Sequence, residues 1–117
     1  MINKRGIGTD YEKLAEEYLE AKNYQILEKN FHSRFGEIDI IARDGEYLVF
    51  VEVKYRKSAD CGNPLEAVDV KKQRRICRTA LYYLHKEGYG EDTACRFDVV
   101  AFEGEERLHV ENAFEFL

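Results

Sequence analysis

Residues 36–55, GEIDIIARDGEYLVFVEVKY, hold two runs rich in Ile, Val, Phe and Tyr on either side of a short polar segment. Runs of this composition favour β-strands. The Asp44-Gly45 pair between them is typical of a tight turn that joins two antiparallel strands. The stretch therefore predicts a hairpin with strands at Gly36–Ala42 and Tyr47–Tyr55.

The predicted hairpin sorts its side chains onto two faces, because neighbouring residues of a strand point in opposite directions. With Asp44 and Gly45 as a two-residue loop, Asp39 lies opposite Phe50. In the same register Glu37 lies opposite Glu52. One face is then wholly apolar: Ile38, Ile40, Ala42, Val49, Val51 and Val53. The other face carries charges at one end of an apolar surface: Glu37, Asp39, Glu52 and Lys54, beside Ile41, Leu48 and Phe50.

The charged end of the hairpin carries more acid than base, since Lys54 neutralises only one of its carboxylates. Two carboxylates about 5 Å apart repel by roughly 3 kcal/mol at an effective dielectric constant of 20. A divalent cation relieves this repulsion, and carboxylate oxygens in an open, wet site suit Mg²⁺ or Mn²⁺. The pattern alone fits an edge strand protected by charge equally well, with Lys54 paired to Glu52 or Asp39.

Two helices are predicted outside the hairpin. The first spans residues 10–22, with Thr9 and Glu12 as a capping pair. Its apolar residues recur at helical spacing: Tyr11, Leu14, Ala15, Tyr18 and Leu19. Asn63-Pro64 is expected to open a helical region with a short turn from Leu65 to Val68. Asp69 then caps a second helix that ends before Gly88 and buries one apolar face: Ile76, Cys77, Ala80, Leu81 and Leu84.

Three further strands are predicted at residues 24–31, 93–102 and 107–112. The resulting order, α-β-β-β-α-β-β, indicates an α/β fold in which helices flank a mixed β-sheet. With 117 residues, the chain is expected to form a single domain over residues 1–117. The apolar runs are far shorter than a membrane span, and no apolar stretch follows the basic start, so a cytoplasmic protein without a membrane partner is expected.

The three cysteines, Cys61, Cys77 and Cys95, are far apart in sequence and are expected to be reduced thiols rather than zinc ligands. The net charge of −5 argues against a protein that coats nucleic acid unspecifically. Between residues 54 and 78, however, eight basic residues face only three acids. Such a strip on an acidic body is either a face that binds a polyanion or an ordinary solvated helix face.

Several short motifs of this chain together resemble the YraN-like family of bacterial proteins. In order, these are Glu12-x-x-Ala15, Gly36-Glu37-Ile38-Asp39, Phe50-Val51-Glu52-Val53-Lys54-x-Arg56, Glu66-Ala67-Val68, Lys72-Gln73-x-Arg75-Ile76 and Arg96-Phe97-Asp98-Val99-Val100. The Asp39, Glu52 and Lys54 spacing is similar to the D…(D/E)-x-K signature of the restriction-endonuclease-like nuclease superfamily. Within that superfamily the chain is similar to the archaeal Holliday junction resolvases.

The resemblance implies roles for individual residues. Asp39 and Glu52 correspond to metal-binding acids, Lys54 to the lysine beside the attacking water, and Glu12 to a first-helix glutamate that completes the metal site. Glu37 and Gln73 are expected to support the site. Phosphate contacts are expected from the basic strip: Arg56, Lys71, Lys72, Arg74, Arg75 and Arg78. The family usually has glycine before the first-helix glutamate. Here Tyr11 either narrows access to the site or extends the core face.

The activity implied by the resemblance is metal-assisted hydrolysis of phosphodiester bonds, with branched DNA as the expected substrate and Mg²⁺ or Mn²⁺ as cofactor. Analogy with the resolvases also implies a homodimer. Two alternatives stay open at the level of sequence. One is a nucleic-acid-binding module with a nuclease fold but no useful catalysis, and the other is a protein-interaction domain.

Overall fold

The computed structural model describes residues 4–56 and 68–116. Its helices and strands are α1 (Lys4–Ala21), β1 (Gln25–Ser33), β2 (Gly36–Asp44), β3 (Tyr47–Arg56), α2 (Val70–Lys86), β4 (Cys95–Glu103) and β5 (Glu106–Phe114). The strands form one sheet in the order β1-β2-β3-β4-β5, with β3 and β4 parallel and the other neighbours antiparallel. The predicted α/β architecture and element order are confirmed.

The two helices cover opposite faces of the sheet. Alternating residues of β3 divide between two cores, with Leu48 and Phe50 in one and Val49 and Val51 in the other. The first core contains the apolar face of α2: Ile76, Cys77, Ala80 and Tyr83. The second contains Ala15 and Leu19 of α1. The central strand β3 is therefore buried on both sides and holds the two layers together.

The predicted register of the β2–β3 hairpin is wrong by two residues. Phe50 pairs with Ile41 rather than with Asp39, because the loop is Gly45-Glu46 rather than Asp44-Gly45. Asp44 stays in β2, where its carboxylate accepts a hydrogen bond from Arg96 at 3.1 Å. A shift of two residues keeps every side chain on its original face, so most of the predicted sorting survives.

The sorting fails at Ile38, which lies in the α2 core although Ile40 lies in the α1 core. The neighbouring strand β1 changes faces at the same level: Lys29 contacts Glu16 of α1, whereas Phe31 contacts Tyr83 of α2. Between them Asn30 has a φ of +51°, a left-handed conformation that asparagine tolerates better than most residues. Both strands are thus irregular beside Asp39.

Several predictions about the helices are corrected. The first helix begins at Lys4, so Thr9 lies inside it and the capping pair with Glu12 is wrong. Extending an existing helix costs little, since each added residue gains a hydrogen bond. Leu14 and Leu81 are exposed rather than buried, because each lies at the margin of its helix's apolar stripe.

The predicted cap of the second helix is confirmed, since Asp69 Oδ1 accepts a hydrogen bond from Lys72 N at 2.8 Å. The helix ends at Lys86, before Gly88, as predicted. The predicted opening turn at Asn63-Pro64 and Leu65 lies outside the described residues, as do Cys61 and Lys57. No helix within residues 4–56 and 68–116 has the length and apolar character that crossing a membrane requires.

Gly36 allows α2 to approach the start of β2. A Cβ atom added there would lie 3.3 Å from Arg75 Cβ, and the Gly36 φ of +156° suits glycine.

We expect Gly36→Ala to lower the free energy of unfolding by about 2 kcal/mol, measured by urea denaturation. Gly45→Ala is the control: its Cβ would meet no described atom within 4 Å, so it should cost only the strain of its left-handed backbone, about 1 kcal/mol. Equal losses would show that the approach to Arg75 is unimportant.

Candidate active site

The candidate active site lies where β2 separates from β3. Their regular pairing runs from the turn only as far as Ile40 and Val51. Beyond that point the Val53 N–H is bound by a side chain, since it donates to Asp39 Oδ2 at 2.8 Å. The Asp39 carboxylate thus occupies the opening between the two strands and replaces a backbone acceptor there.

Asp39 is surrounded by negative charge. Burial and the neighbouring carboxylate of Glu52 raise its pKa to about 7, and Glu12 acts in the same direction. The Val53 hydrogen bond and the Lys72 ammonium oppose this shift without cancelling it. Asp39, Glu52 and Glu12, which the sequence analysis grouped, therefore interact electrostatically in the structure. Near neutral pH a cation that binds beside Asp39 can therefore displace its proton.

Glu52 is almost fully buried and is shared by two lysines. Lys72 Nζ of α2 lies 2.6 Å from Glu52 Oε1, and Lys54 Nζ lies 3.3 Å from the same atom. Lys72 was predicted from sequence as a phosphate contact, but it is the closer partner of this carboxylate. The helix cap at Asp69 positions it, because the Lys72 N–H is the group that Asp69 binds.

The two lysines respond differently to sharing one carboxylate. Burial lowers the pKa of Lys54, and the neighbouring Lys72 ammonium lowers it further. Burial also opposes the charge of Lys72, but its hydrogen bond to Glu52 raises the pKa of Lys72 overall. Lys54 is therefore the less firmly held cation. It is the lysine that is better placed to give its hydrogen bonds to a bound anion.

A cavity of about 160 Å³ opens on the α1 side of Asp39. Its walls include Glu12 and Glu16 of α1, Asn30 of β1, and Asp39 itself. Glu16 and Asn30 were not predicted from the sequence. The spacing of four between Glu12 and Glu16 is the signal for Glu16, because it places both on one side of a helix. Lys29 neutralises Glu16 at 3.3 Å.

The two residues predicted to support the site make other contacts in the structure. Glu37 pairs with His32 across β1 rather than with Glu52, and its side chain is 60% exposed. Gln73 Nε2 donates to Val68 O at 2.9 Å, so it holds the segment that leads into α2. Tyr11 extends the apolar layer, since its ring stacks on Tyr55 at 4.3 Å.

Apart from Lys72, the residues predicted to bind phosphate form two groups. Arg56 is buried at the end of β3, where Nη2 lies 3.8 Å from Glu103 and Nε has no hydrogen-bond partner among the described residues. The other group is exposed on α2 and forms no ion pair within the described part of the chain: Lys71, Arg74, Arg75 and Arg78. These four cations are available to a polyanion, because no described acid neutralises them.

The side chains at the opening suit a hard divalent cation. Among residues 4–56 and 68–116, no three His, Cys, Asp or Glu side chains lie together in a group that would hold a metal ion by themselves. Mg²⁺, however, is usually bound by one or two carboxylates together with water and substrate phosphates. Asp39 and Glu52 supply such a pair, and Asp39 forms no ion pair with any described cation. The donor set therefore fits Mg²⁺ or Mn²⁺.

A second buried aspartate shows how the same fold neutralises a carboxylate. Asp98 of β4 accepts two hydrogen bonds from Arg96, at 2.9 and 3.0 Å, and lies 2.7 Å from His109 Nε2. It also accepts the Asn112 N–H of β5 at 3.1 Å. Although burial acts against it, these partners lower the pKa of Asp98. No role for Asp98 was predicted from the sequence, because its partners come together only in the folded chain.

The site residues lie within a stretch shared with known proteins. A family model described as "Uncharacterised protein family UPF0102" matches residues 11–102 of the chain. The chain belongs to this family. The YraN-like part of the sequence resemblance is thereby confirmed. The matched stretch contains Glu12, Asp39, Glu52, Lys54 and Lys72.

Individual UPF0102 proteins align with nearly the whole chain. The UPF0102 protein of Lachnoclostridium phytofermentans is 50% identical over 114 residues, which is 97% of each chain. The UPF0102 protein of Geobacter metallireducens is 47% identical over 118 residues, covering 97% of this chain and 96% of the relative. That of Thermodesulfovibrio yellowstonii is 46% identical over 108 residues, covering 92% of this chain and 95% of the relative. The fold described above is therefore that of a bacterial UPF0102 protein.

Proposed function

We propose that this protein is a metal-dependent nuclease that hydrolyses phosphodiester bonds in branched or single-stranded nucleic acid. The observation that carries the proposal is that the Asp39 carboxylate lies near Glu52 and forms no ion pair with a described cation. The same fold gives buried Asp98 an ion pair with Arg96 and a close contact with His109, whereas Asp39 lies near two other acids. Unrelieved charge of this kind is typical of a functional site.

The proposed cofactor is Mg²⁺ or Mn²⁺, held by Asp39 and Glu52 with Glu12 nearby. When bound, such an ion supplies a polarised phosphate and an activated water. Lys54 lies against Glu52, where it would donate hydrogen bonds to the phosphate and stabilise the negative charge that develops on it. Lys72 holds Glu52 in place. The exposed cations of α2 would contact neighbouring phosphates, which adds affinity without sequence preference.

The test is a cleavage assay with junction, flap, single-stranded and blunt duplex DNA. We expect cutting of branched or single-stranded substrates in Mg²⁺ or Mn²⁺ and none in EDTA. Lys54→Met should lower the rate about 100-fold or more, because it removes a cation beside the phosphate. Glu37→Gln should leave the rate unchanged, since Glu37 is exposed and paired with His32 away from the site. Wild-type protein that binds DNA but cuts none of these substrates would overturn the proposal.

A second candidate function is nucleic-acid binding without cleavage. The observation that favours it is the 2.6 Å ion pair between Lys72 and Glu52, which already satisfies one of the carboxylates that a metal would need. In that case binding should be salt-sensitive and unaffected by Lys54→Met. It should weaken when Arg74 and Arg75 are replaced by glutamine, because fewer neutralised phosphates release fewer counterions, and this release drives binding. Cleavage in Mg²⁺ would exclude this candidate.

A further inference from the structure

A groove of about 350 Å³ lies beside α2, at a distance from the candidate active site. It is lined by Phe35 from the β1–β2 turn and by Arg78, Leu81 and Tyr82 of α2. Leu81 is 53% exposed and Tyr82 is 43% exposed. Exposed apolar side chains that gather around a groove mark an interaction site more often than scattered ones do. None of the residues proposed to act in catalysis lines this groove.

The wall of the groove formed by the β1–β2 turn is fixed against the helix. Phe35 N–H donates to Ser33 Oγ at 3.1 Å, and Ser33 Oγ lies 3.1 Å from Thr79 Oγ1 of α2. Gly36 brings the turn close to Arg75, as described above. Phe35 is therefore held in position before any partner arrives, which lowers the entropy lost on binding.

The charge around the groove is positive. The Arg34 guanidinium lies 4.9 Å from the centre of the Phe35 ring, and Arg78 lines the groove itself. Neither arginine forms an ion pair with an acid in the part of the chain that the structure describes. Aromatic rings among unpaired cations are the combination that binds single strands, since bases stack on the rings while phosphates contact the cations.

We propose that this groove binds the unpaired bases of a single-stranded segment of nucleic acid, with Phe35 and Tyr82 stacking on bases and Arg34 and Arg78 contacting phosphates. The inference rests on the proposed function, because it gives a binding place to the nucleic-acid strand that would leave the active site. At 1.5 Å per helical residue, Tyr82 lies about 15 Å along α2 from Lys72, so the same strand reaches both within a few nucleotides. The groove would thereby select substrates that contain an unpaired strand.

A fluorescent reporter tests the inference directly. The chain has no tryptophan, so Tyr82→Trp introduces a single indole at the groove. We expect oligothymidine to quench its emission by about half in EDTA at low salt, because a stacked base deactivates the excited ring. A blunt duplex of equal charge should bind through the basic strip and quench little. Equal quenching by both, or quenching by neither while both bind, would overturn the inference.

Affinity provides a second readout that does not depend on the reporter. Phe35→Leu with Tyr82→Leu should weaken binding of oligothymidine about tenfold or more and leave duplex binding unchanged, since stacking contributes about 1–3 kcal/mol per base. Tyr82→Leu alone carries the test if the double variant does not fold. Tyr47→Leu is the matched control, because Tyr47 is 40% exposed and lies away from the groove. It pairs with Asp44 at the end of β2 that is farther from Phe35. Its affinity should equal that of the wild type.

The inference and the proposed nuclease activity fail in different ways. Selective quenching by single strands in a protein that never cleaves supports the groove and removes the nuclease. Cleavage of branched DNA with no loss of single-strand affinity in the double variant removes the groove and keeps the nuclease. If the groove substitutions abolish self-association and leave binding of oligothymidine intact, the groove is an interface between two copies of this chain, and the inference is wrong.

Discussion

Replacing Asp39 by asparagine should make the metal-free protein more stable at pH 8 while it abolishes the proposed cleavage. The folded-state pKa of Asp39 is about 7, above the ordinary value of 3.8. The stabilisation that comes from protonated Asp39 is therefore fully present below about pH 4 and is lost as the pH rises through 7. Asparagine lacks the charge and keeps an oxygen for the Val53 N–H. At pH 8 in EDTA we expect a gain on the order of 1–3 kcal/mol.

The stabilisation by Asp39→Asn should depend on both pH and metal. At or below pH 4 the variant and the wild type should unfold at nearly equal urea concentrations, because Asp39 is then protonated in both the folded and the unfolded state. Millimolar Mg²⁺ should stabilise the wild type alone, since only it keeps the carboxylate pair that would hold the ion. Glu37→Gln is the control and should show neither effect. A variant that is less stable than the wild type at pH 8 in EDTA would mean that Asp39 has a structural role.

Asp98→Asn should lower the free energy of unfolding at pH 7 by about 3–5 kcal/mol, because it removes the buried charged acceptor that Arg96 and His109 share. Asp98 is fully buried, and asparagine supplies a single acceptor oxygen where the carboxylate supplies two. Since the pKa of Asp98 is lowered by folding, its contribution is fully present above about pH 4 and is lost as the pH falls through the lowered value. Urea denaturation at several pH values measures both quantities.

Asp44→Asn is the matched control for Asp98→Asn. Asp44 accepts a hydrogen bond from the same Arg96 at 3.1 Å, but its side chain is 37% exposed. Water can therefore replace the lost interaction, and we expect a cost of about 1 kcal/mol or less. If both variants lose the same small amount, the buried network around Asp98 does not stabilise the fold.

The hairpin and its charged residues were predictable from the sequence because strand alternation depends on parity alone. The error of two residues in register left Glu52 and Lys54 on the predicted face. The displacement of Ile38 was not predictable, since it accompanies an irregularity in the neighbouring strand, where Asn30 has a left-handed backbone. Local patterns report the period of a strand but not where a partner strand distorts it.

The electrostatic surroundings of each aspartate were predictable only in part. The resemblance singled out Asp39, Glu52 and Lys54. In the structure Glu52 and Glu12 lie near enough to raise the pKa of Asp39, and Lys54 pairs with Glu52. Lys72 was expected at phosphates, because nothing in a run of basic residues indicates which one turns toward the sheet. The partners of Asp98 come from two strands and from opposite sides of a bulge. Interactions between such distant segments leave no periodic signal in the sequence.

The separation of β2 from β3 beyond the Ile40–Val51 pair has an electrostatic consequence. A continuous sheet insulates the layer above it from the layer below, because the strands leave no path for direct contact. Here Glu12 from one layer and Lys72 from the other both act on the charge of Asp39. A change of that charge therefore alters the electrostatic energy of one residue in each helix, Glu12 in α1 and Lys72 in α2. The opening thus gives α1 and α2, which cover opposite faces of the sheet, an electrostatic interaction with the same carboxylate.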